Sequence, residues 1–167
     1  MASGDVDTVL SVLTTNQKGA IAEAAIVKEA VRLGIGVFKP VADERCDFIF
    51  DLRPRLVRVQ CKSAQMLGDV LVARLYSARR ARAGLVRRLY SADDIDAFAI
   101  YCQGNDRCYW LDAGTWAARS QVYLRLEGTK NNQAEGINWA SDHEFAGTLM
   151  AQLGAVAQLG ERLAGSQ

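Results

Sequence analysis

Residues spaced two apart in a short apolar stretch are the first candidates for chemistry. In Val57-Arg58-Val59-Gln60-Cys61-Lys62 the period is two. Val57, Val59 and Cys61 therefore share one strand face, suited to a core, while Arg58, Gln60 and Lys62 share the other. The preceding stretch alternates too: Cys46, Phe48 and Phe50 form an apolar set, and Asp47 and Asp51 point the opposite way. Arg53-Pro54-Arg55 between the two stretches reads as a turn. A hairpin closed there sets Asp47 beside Gln60 and Lys62 on one polar face. An acid, an amide oxygen and an ammonium brought together suit a hard cation with oxygen ligands and a water that it activates. The pattern describes an ordinary solvated sheet face of mixed polarity equally well.

A further carboxylate lies upstream. Helical spacing runs from about Asn16 to Leu33, with Asn16 as the expected N-cap and Gly34 as the stop. Ala22, Ile26, Val27, Ala30, Val31 and Leu33 fall on one side of this helix, and Lys28, Glu29 and Arg32 on the other. Glu23 projects near the middle of the apolar side. A carboxylate there costs on the order of several kcal/mol unless a cation, a metal or hydrogen-bond donors receive it. The other reading is an exposed first turn, in which the helix dipole favours the charge.

The elements that must position these groups follow from the same patterning. Gly36–Phe38 is extended. Strands are expected over Cys46–Leu52, Leu56–Lys62 and Val70–Tyr76, and a loop or short helix over residues 77–90. Ile95–Cys102 and Cys108–Leu111 flank Gln103-Gly104-Asn105-Asp106 as a hairpin. The stretch after Ala134 reads as mostly helical. Helix first, then a run of strands, then helices predicts an α+β or mixed-sheet α/β fold. At 167 residues, half of them apolar, the chain fits one domain with a real core, and residues 1–14 and 154–167 are candidate flexible ends.

Charge is segregated although the net is only +1. Between Arg53 and Arg88 lie ten of the twenty basic residues and a single acid, Asp69. From Asp93 to Asp112 five acids face Arg107 alone. The six arginines from Arg74 to Arg88, with no acid among them, fit contact with phosphates better than an ordinary solvated face. Cys46, Cys61, Cys102 and Cys108 form no CxxC pair and His143 has no ligand-spaced neighbour, which argues against zinc and for reduced, mostly buried cysteines. No apolar run approaches the ~20 residues of a membrane span, and the N-terminus lacks a signal peptide's regions, which predicts a soluble, cytoplasmic protein without membrane contact.

The order of these residues is itself familiar. An early helix carrying Glu23, then Asp47, a hairpin, and Gln60-x-Lys62 resembles the core of PD-(D/E)xK nucleases. Val59-Gln60-Cys61-Lys62-Ser63, with glutamine in place of the usual acid, resembles the branch that contains the group I intron homing endonucleases. Three further segments are similar to that branch: Tyr90 to Tyr101, the hairpin ending in Tyr109-Trp110, and Leu124-Arg125-Leu126 leading to Lys130-Asn131-Asn132-Gln133. Together they cover roughly residues 17–145. Cys46 stands where the motif's name has proline, and Gln60 leaves the site one negative charge short, a charge that Glu23 could supply.

The resemblance implies a restriction-endonuclease-like core, a mixed β-sheet flanked by helices. It implies sequence-specific, metal-dependent hydrolysis of phosphodiester bonds in double-stranded DNA. Asp47, the Gln60 side-chain oxygen and the Cys61 carbonyl would hold Mg2+, with Mn2+ able to substitute. Glu23 would serve a second metal or the attacking water. Lys62 would orient or deprotonate that water; a free lysine titrates near 10.4, which favours the orienting role. DNA contacts would fall to Arg58, Arg79, Arg80, Arg82, Arg87 and Arg88, and to Lys130, Asn131, Asn132 and Gln133, whose amides suit adenine edges or phosphates. Cutting both strands with one small site per chain implies a homo-oligomer, a dimer or a tetramer. The tail from Gly154 to Gln167 resembles peptides read across bacterial tRNA genes, which implies a mobile element lodged in one; it also reads as a short helix carrying Val156, Leu159 and Leu163. Two other readings use the same residues: a junction-resolvase-like or restriction-type nuclease, and a DNA-binding module whose site has decayed at Gln60. That Glu23, Asp47 and Lys62 are all intact argues against decay.

Overall fold

The computed structural model describes residues 12–128 and 135–164. Helix α1 spans Thr15–Arg32 and is capped by Thr14, two residues before the expected Asn16. The Thr14 hydroxyl accepts from the Gln17 N–H at 3.2 Å while the Gln17 side chain accepts from the Thr14 N–H at 2.9 Å. Threonine wins because a glutamine stands three residues on to close the reciprocal box, whereas Asn16 has Gly19 at that spacing. Gly34, at φ +75°, ends the helix in the left-handed conformation glycine tolerates best.

The buried stripe of α1 is narrow: Ala22, Ile26 and Ala30. Val31, expected on that side, is 58% exposed because it lies about 140° around the helix from Ile26. Glu23, about 60° from Ile26, sits on the flank of the stripe rather than in its middle. It is half-buried as a result.

Seven strands form one mixed sheet: β1 (Gly36–Phe38), β2 (Phe48–Asp51), β3 (Leu56–Leu67), β4 (Val70–Arg74), β7 (Ala97–Cys102), β8 (Arg107–Asp112) and β9 (Gln121–Arg125). Two more, β5 (Tyr76–Ala81) and β6 (Gly84–Leu89), pair only with each other as a projecting ribbon. The short helix α2 (Ala113–Trp116), a 3-10 turn at Ala140–His143 and helix α3 (Phe145–Ala164) complete the chain. Residues 154–164 of the expected flexible end are thus helical, and Lys130, Asn131, Asn132 and Gln133 lie outside the described residues. Among those described, no helix is long and apolar enough to cross a membrane. Cys61, Cys102 and Cys108 are buried and Cys46 is partly so, as free cysteines expected in a core should be.

Strand β3 organises the sheet. It pairs in parallel with β7 through Val59–Ala64 and antiparallel with β2 through Leu56–Val59 and with β4 through Ala64–Leu67. Val59 pairs with both Phe48 of β2 and Ala97 of β7, and Ala64 with both Ala73 of β4 and Cys102 of β7. β2 and β4 must therefore lie along the same edge of β3, opposite β7. They do not meet. Gln60 to Ser63 face a gap between them.

Both faces of the sheet are covered. On one, Ile26 of α1 and Phe145 and Leu149 of α3 pack with Phe50, Val57, Val59, Cys61 and Trp110. On the other, Leu71, Phe98, Ile100, Tyr109, Leu111 and Trp116 form a second core. β7 is buried at every position because alternate residues serve the two cores. The polar face expected around Gln60 and Lys62 is thus no solvated surface: it borders this second core. Cys46 also joins the second core's margin rather than Phe48 and Phe50, since β2 and its alternation begin only at Phe48.

The ribbon is the main departure from the sequence expectation of a loop or short helix over 77–90. Paired doublets, Arg79-Arg80 against Val86-Leu85 and Ala78-Ser77 against Arg87-Arg88, put arginine on both faces and hide the period of two. Arg82 and Ala83 turn the chain, and Gly84 follows at φ +118°.

Candidate active site

The gap in β3's edge gathers the candidate residues. Asp47 immediately precedes β2, and its N–H still donates to the Val59 carbonyl at 2.9 Å. Beyond that point β2 offers no backbone partner, so the Asp47 carboxylate takes over and accepts from the Cys61 N–H at 2.7 Å. The same oxygen accepts from the Gln60 amide nitrogen at 2.6 Å. Gln60 is 8% exposed, the one amide or charged side chain among the described residues that counts as buried. Its amide is satisfied there by Asp47 and, at 3.4 Å, by the Cys61 carbonyl. Since N–H and C=O of one strand residue leave from the same edge, that carbonyl also faces the gap.

Lys62 lies on the second-core side of the same segment. Its Nζ donates to the Tyr76 carbonyl at 3.1 Å and to the Tyr90 hydroxyl at 3.3 Å, and sits 4.8 Å from the centre of the Tyr90 ring. Burial pushes Lys62 down to about 8; the charge of Arg45 acts in the same direction and that of Asp47 against it. Burial also raises Asp47, which the Cys61 N–H and the charges of Lys62 and Lys39 oppose and Glu23 reinforces. Glu23 is thus within electrostatic reach of Asp47. Its carboxylate pairs with Lys39 Nζ at 3.2 Å.

Above the gap stands the ribbon, and between them is a cleft of about 640 Å3 lined by Asp47, Gln60, Arg45, Ser77, Arg79 and Arg88. Cross-strand partners share a face, so Ser77, Arg79, Val86 and Arg88 belong to the cleft side. Arg80 and Arg87 belong to the other, with Arg87 lying 5.1 Å over the Tyr76 ring. Arg82 is at the tip.

Arg58 does not join the cleft. Its guanidinium is committed to both Asp96 oxygens at 3.1 and 3.0 Å, to the Ala92 carbonyl at 3.1 Å and to the Asp93 carbonyl. It ties β3 to the loop before β7, and the strand alternation that grouped it with Gln60 and Lys62 could not reveal that partner. Three residues that sequence reasoning passed over do belong near the site: Lys39, Arg45 and Tyr90. Tyr90 opened one of the segments of family resemblance; for Lys39 and Arg45 no spacing signal pointed to the site.

Among the described residues no three His, Cys, Asp or Glu side chains stand together as a metal cluster. The donors at the gap are instead mixed: the Asp47 carboxylate, the Cys61 carbonyl and the Gln60 amide; Glu23, on α1 and bonded to Lys39, does not line the cleft and bears on Asp47 only as a neighbouring charge. All can present oxygen, which is what a hard divalent cation requires. Gln60 Nε2 now bridges two oxygens that a cation would otherwise satisfy, and a half-turn of its amide would present oxygen there instead. The set fits such a cation.

Comparison with known proteins agrees with this arrangement. No curated protein matches the sequence. The fold is similar to the solved structure of a bacterial homing endonuclease, I-Ssp6803I, with a TM-score of 0.70 and 25% identity over 87% of this chain and 99% of that one. The family model for the PD-(D/E)XK endonuclease matches residues 13–146, which include every residue of the gap and the ribbon. With most of its length covered by that model, the chain belongs to the PD-(D/E)XK endonuclease family.

Proposed function

We propose that this endonuclease is a sequence-specific, divalent-metal-dependent enzyme for double-stranded DNA, a homing endonuclease of a mobile element acting as a homo-oligomer. The observation that carries the reading is the convergence of the Asp47 carboxylate, the Cys61 carbonyl and the Gln60 amide in the gap of β3, with Lys62 beside it on the second-core side, beneath a ribbon rich in arginine. Likeness to a bacterial homing endonuclease favours this over a junction resolvase.

Asp47 and the Cys61 carbonyl would hold Mg2+, or Mn2+, together with Gln60 after its amide turns. A cation bound there supplies Lewis acidity, lowering the pKa of a water and neutralising charge on the phosphate. Lys62, though lowered to about 8, keeps the ammonium as its main form at pH 7. That ammonium orients the attacking water and stabilises the pentacoordinate phosphate. Glu23 would supply the negative charge that Gln60 does not, if its carboxylate left Lys39 to serve a second metal or the attacking water. Arg79, Arg82 and Arg88 hold the phosphate backbone over the cleft, and at least two copies of the chain are needed to cut both strands. The resemblance of the tail from Gly154 to Gln167 to peptides read across bacterial tRNA genes supports a mobile element lodged in such a gene.

Sequencing the DNA that flanks the gene provides the substrate, the uninterrupted site. The protein is expected to cut that duplex with Mg2+ and not in chelator, and Asp47→Asn and Lys62→Ala each to lose on the order of a hundredfold or more in rate while still binding it. Full cleavage by either variant would overturn the site. Preference for four-way junctions over the duplex would replace homing with resolution.

A further inference from the structure

The catalytic lysine is held by the DNA-binding ribbon. Lys62 Nζ donates to the carbonyl of Tyr76, the first residue of β5, and to the hydroxyl of Tyr90, which directly follows β6. Arg45 grips both strands of the same root: one terminal nitrogen donates to the Ser77 hydroxyl at 3.0 Å and the other to the Leu89 carbonyl at 3.0 Å. Tyr76 and Leu89 are cross-strand partners, and Ser77 pairs with Arg88. The Arg45 guanidinium also lies 4.0 Å over the Tyr90 ring, the ring that Lys62 approaches. With both terminal nitrogens engaged inward, Arg45 is poorly placed to reach a phosphate itself. Asp94 links this cluster to the cleft. It accepts from Arg45 at 3.4 Å and from Arg88 at 3.5 Å, and the Ser91 N–H holds it at 3.0 Å.

We infer that Arg45 and Tyr90 are positioning residues that couple the ribbon's seat on DNA to the placement of the Lys62 ammonium. When Arg88 turns from Asp94 to a phosphate, Arg45 becomes the one cation on Asp94, which Ser91 keeps in place, and the root that holds Lys62 responds. This rests on the nuclease reading for its consequence, but the coupling itself is a property of the folded chain and is measurable without cleavage.

Two measurements test it. In the first, the Lys62 13Cε–Hε signal, assigned by Lys62→Ala, is followed by NMR; beside the Tyr90 ring it is expected at a ring-current-shifted position. Arg45→Gln should move it toward the value of a free lysine. Uncleaved duplex added without metal should shift it in the wild type and much less in Arg45→Gln. An identical signal in both proteins, or no response to duplex in the wild type, would overturn the coupling. In the second, single-turnover cleavage is compared with duplex affinity. Tyr90→Phe, which keeps the ring and the Arg45 stack, is expected to lower the rate about tenfold, and Arg45→Gln about a hundredfold, with affinity nearly unchanged and Tm lowered only in Arg45→Gln, which gives up the bonds to Ser77 and Leu89; Arg45→Lys should recover part of the rate. Rates that fall only in step with affinity would make both residues merely structural. A wild type that never cuts, yet shows the NMR behaviour, would refute the nuclease reading and leave the coupling standing.

Discussion

The gap in β3 and the ribbon above it are opposite solutions to holding charge. In the gap, charged groups lie among buried neighbours and each is answered: Asp47 by a backbone N–H and an amide, Lys62 by a carbonyl and a hydroxyl. On the ribbon every residue of β6 is exposed and no apolar face is packed away. Its arginines are anchored only through the root. The strand backbone and the Asp47 carboxylate are held in place by these contacts, as electrostatic catalysis needs. Of the ribbon's arginines only Arg88 forms an ion pair among the described residues, with Asp94, which leaves the others suited to the proposed phosphate contacts. Chemistry and affinity should therefore separate under mutation.

The largest expected effect within that comparison is at Glu23. Glu23→Gln keeps shape and removes charge, so cleavage should fall on the order of a hundredfold while DNA affinity, set by the ribbon, changes little. Metal titration by calorimetry should show weaker binding in the variant. Unchanged metal affinity and rate would leave Glu23 only the partner of Lys39.

Next come the two faces of the ribbon. Log affinity should fall with log salt at about −0.9 per phosphate contact, so Arg79→Ala with Arg88→Ala should make the slope shallower by about 1.8. Arg80→Ala with Arg87→Ala, on the face turned from the cleft, should change it less. Equal changes would mean that both faces meet the backbone and that the cleft does not orient the duplex.

The smallest effect concerns Asp96, which lines neither the cleft nor the ribbon. The Arg58 guanidinium beside it holds its carboxyl below the usual range. A carboxylate lowered on folding adds stability that is present above its unfolded pKa and is lost as pH falls through the folded value. Asp96→Asn should lower Tm at neutral pH and flatten the loss of stability toward acid. A variant whose acid limb matches the wild type would assign no stability to that pair.

The sequence made legible what alternation and spacing encode. Val57, Val59 and Cys61 do share the core face, Gln60 and Lys62 the other, and Asp47 meets Gln60 through the hairpin. Hidden were features that depend on tertiary partners. Arg58 looks like a free cation until Asp96 arrives from residues far along the chain. The ribbon carries no buried face, so it has no hydrophobic period to read. Arg45 reaches the site only because the root of that unread ribbon folds back over Tyr90. What the sequence missed was therefore the ribbon with the side chains that clasp it, together with the edge strand β9 and the short helix α2.

The interrupted edge of β3 bears on the protein's solubility as well. An open strand edge is a template on which another chain can add, and long flat ones lead to aggregation. Here the interruption runs only from Gln60 to Ser63, closed at one end by β2 and at the other by β4. The Asp47 side chain already occupies the Cys61 N–H within it. A foreign strand finds too few free groups in a row to dock. The gap can thus expose backbone oxygen where a reaction needs it without itself becoming an edge for intermolecular β-pairing.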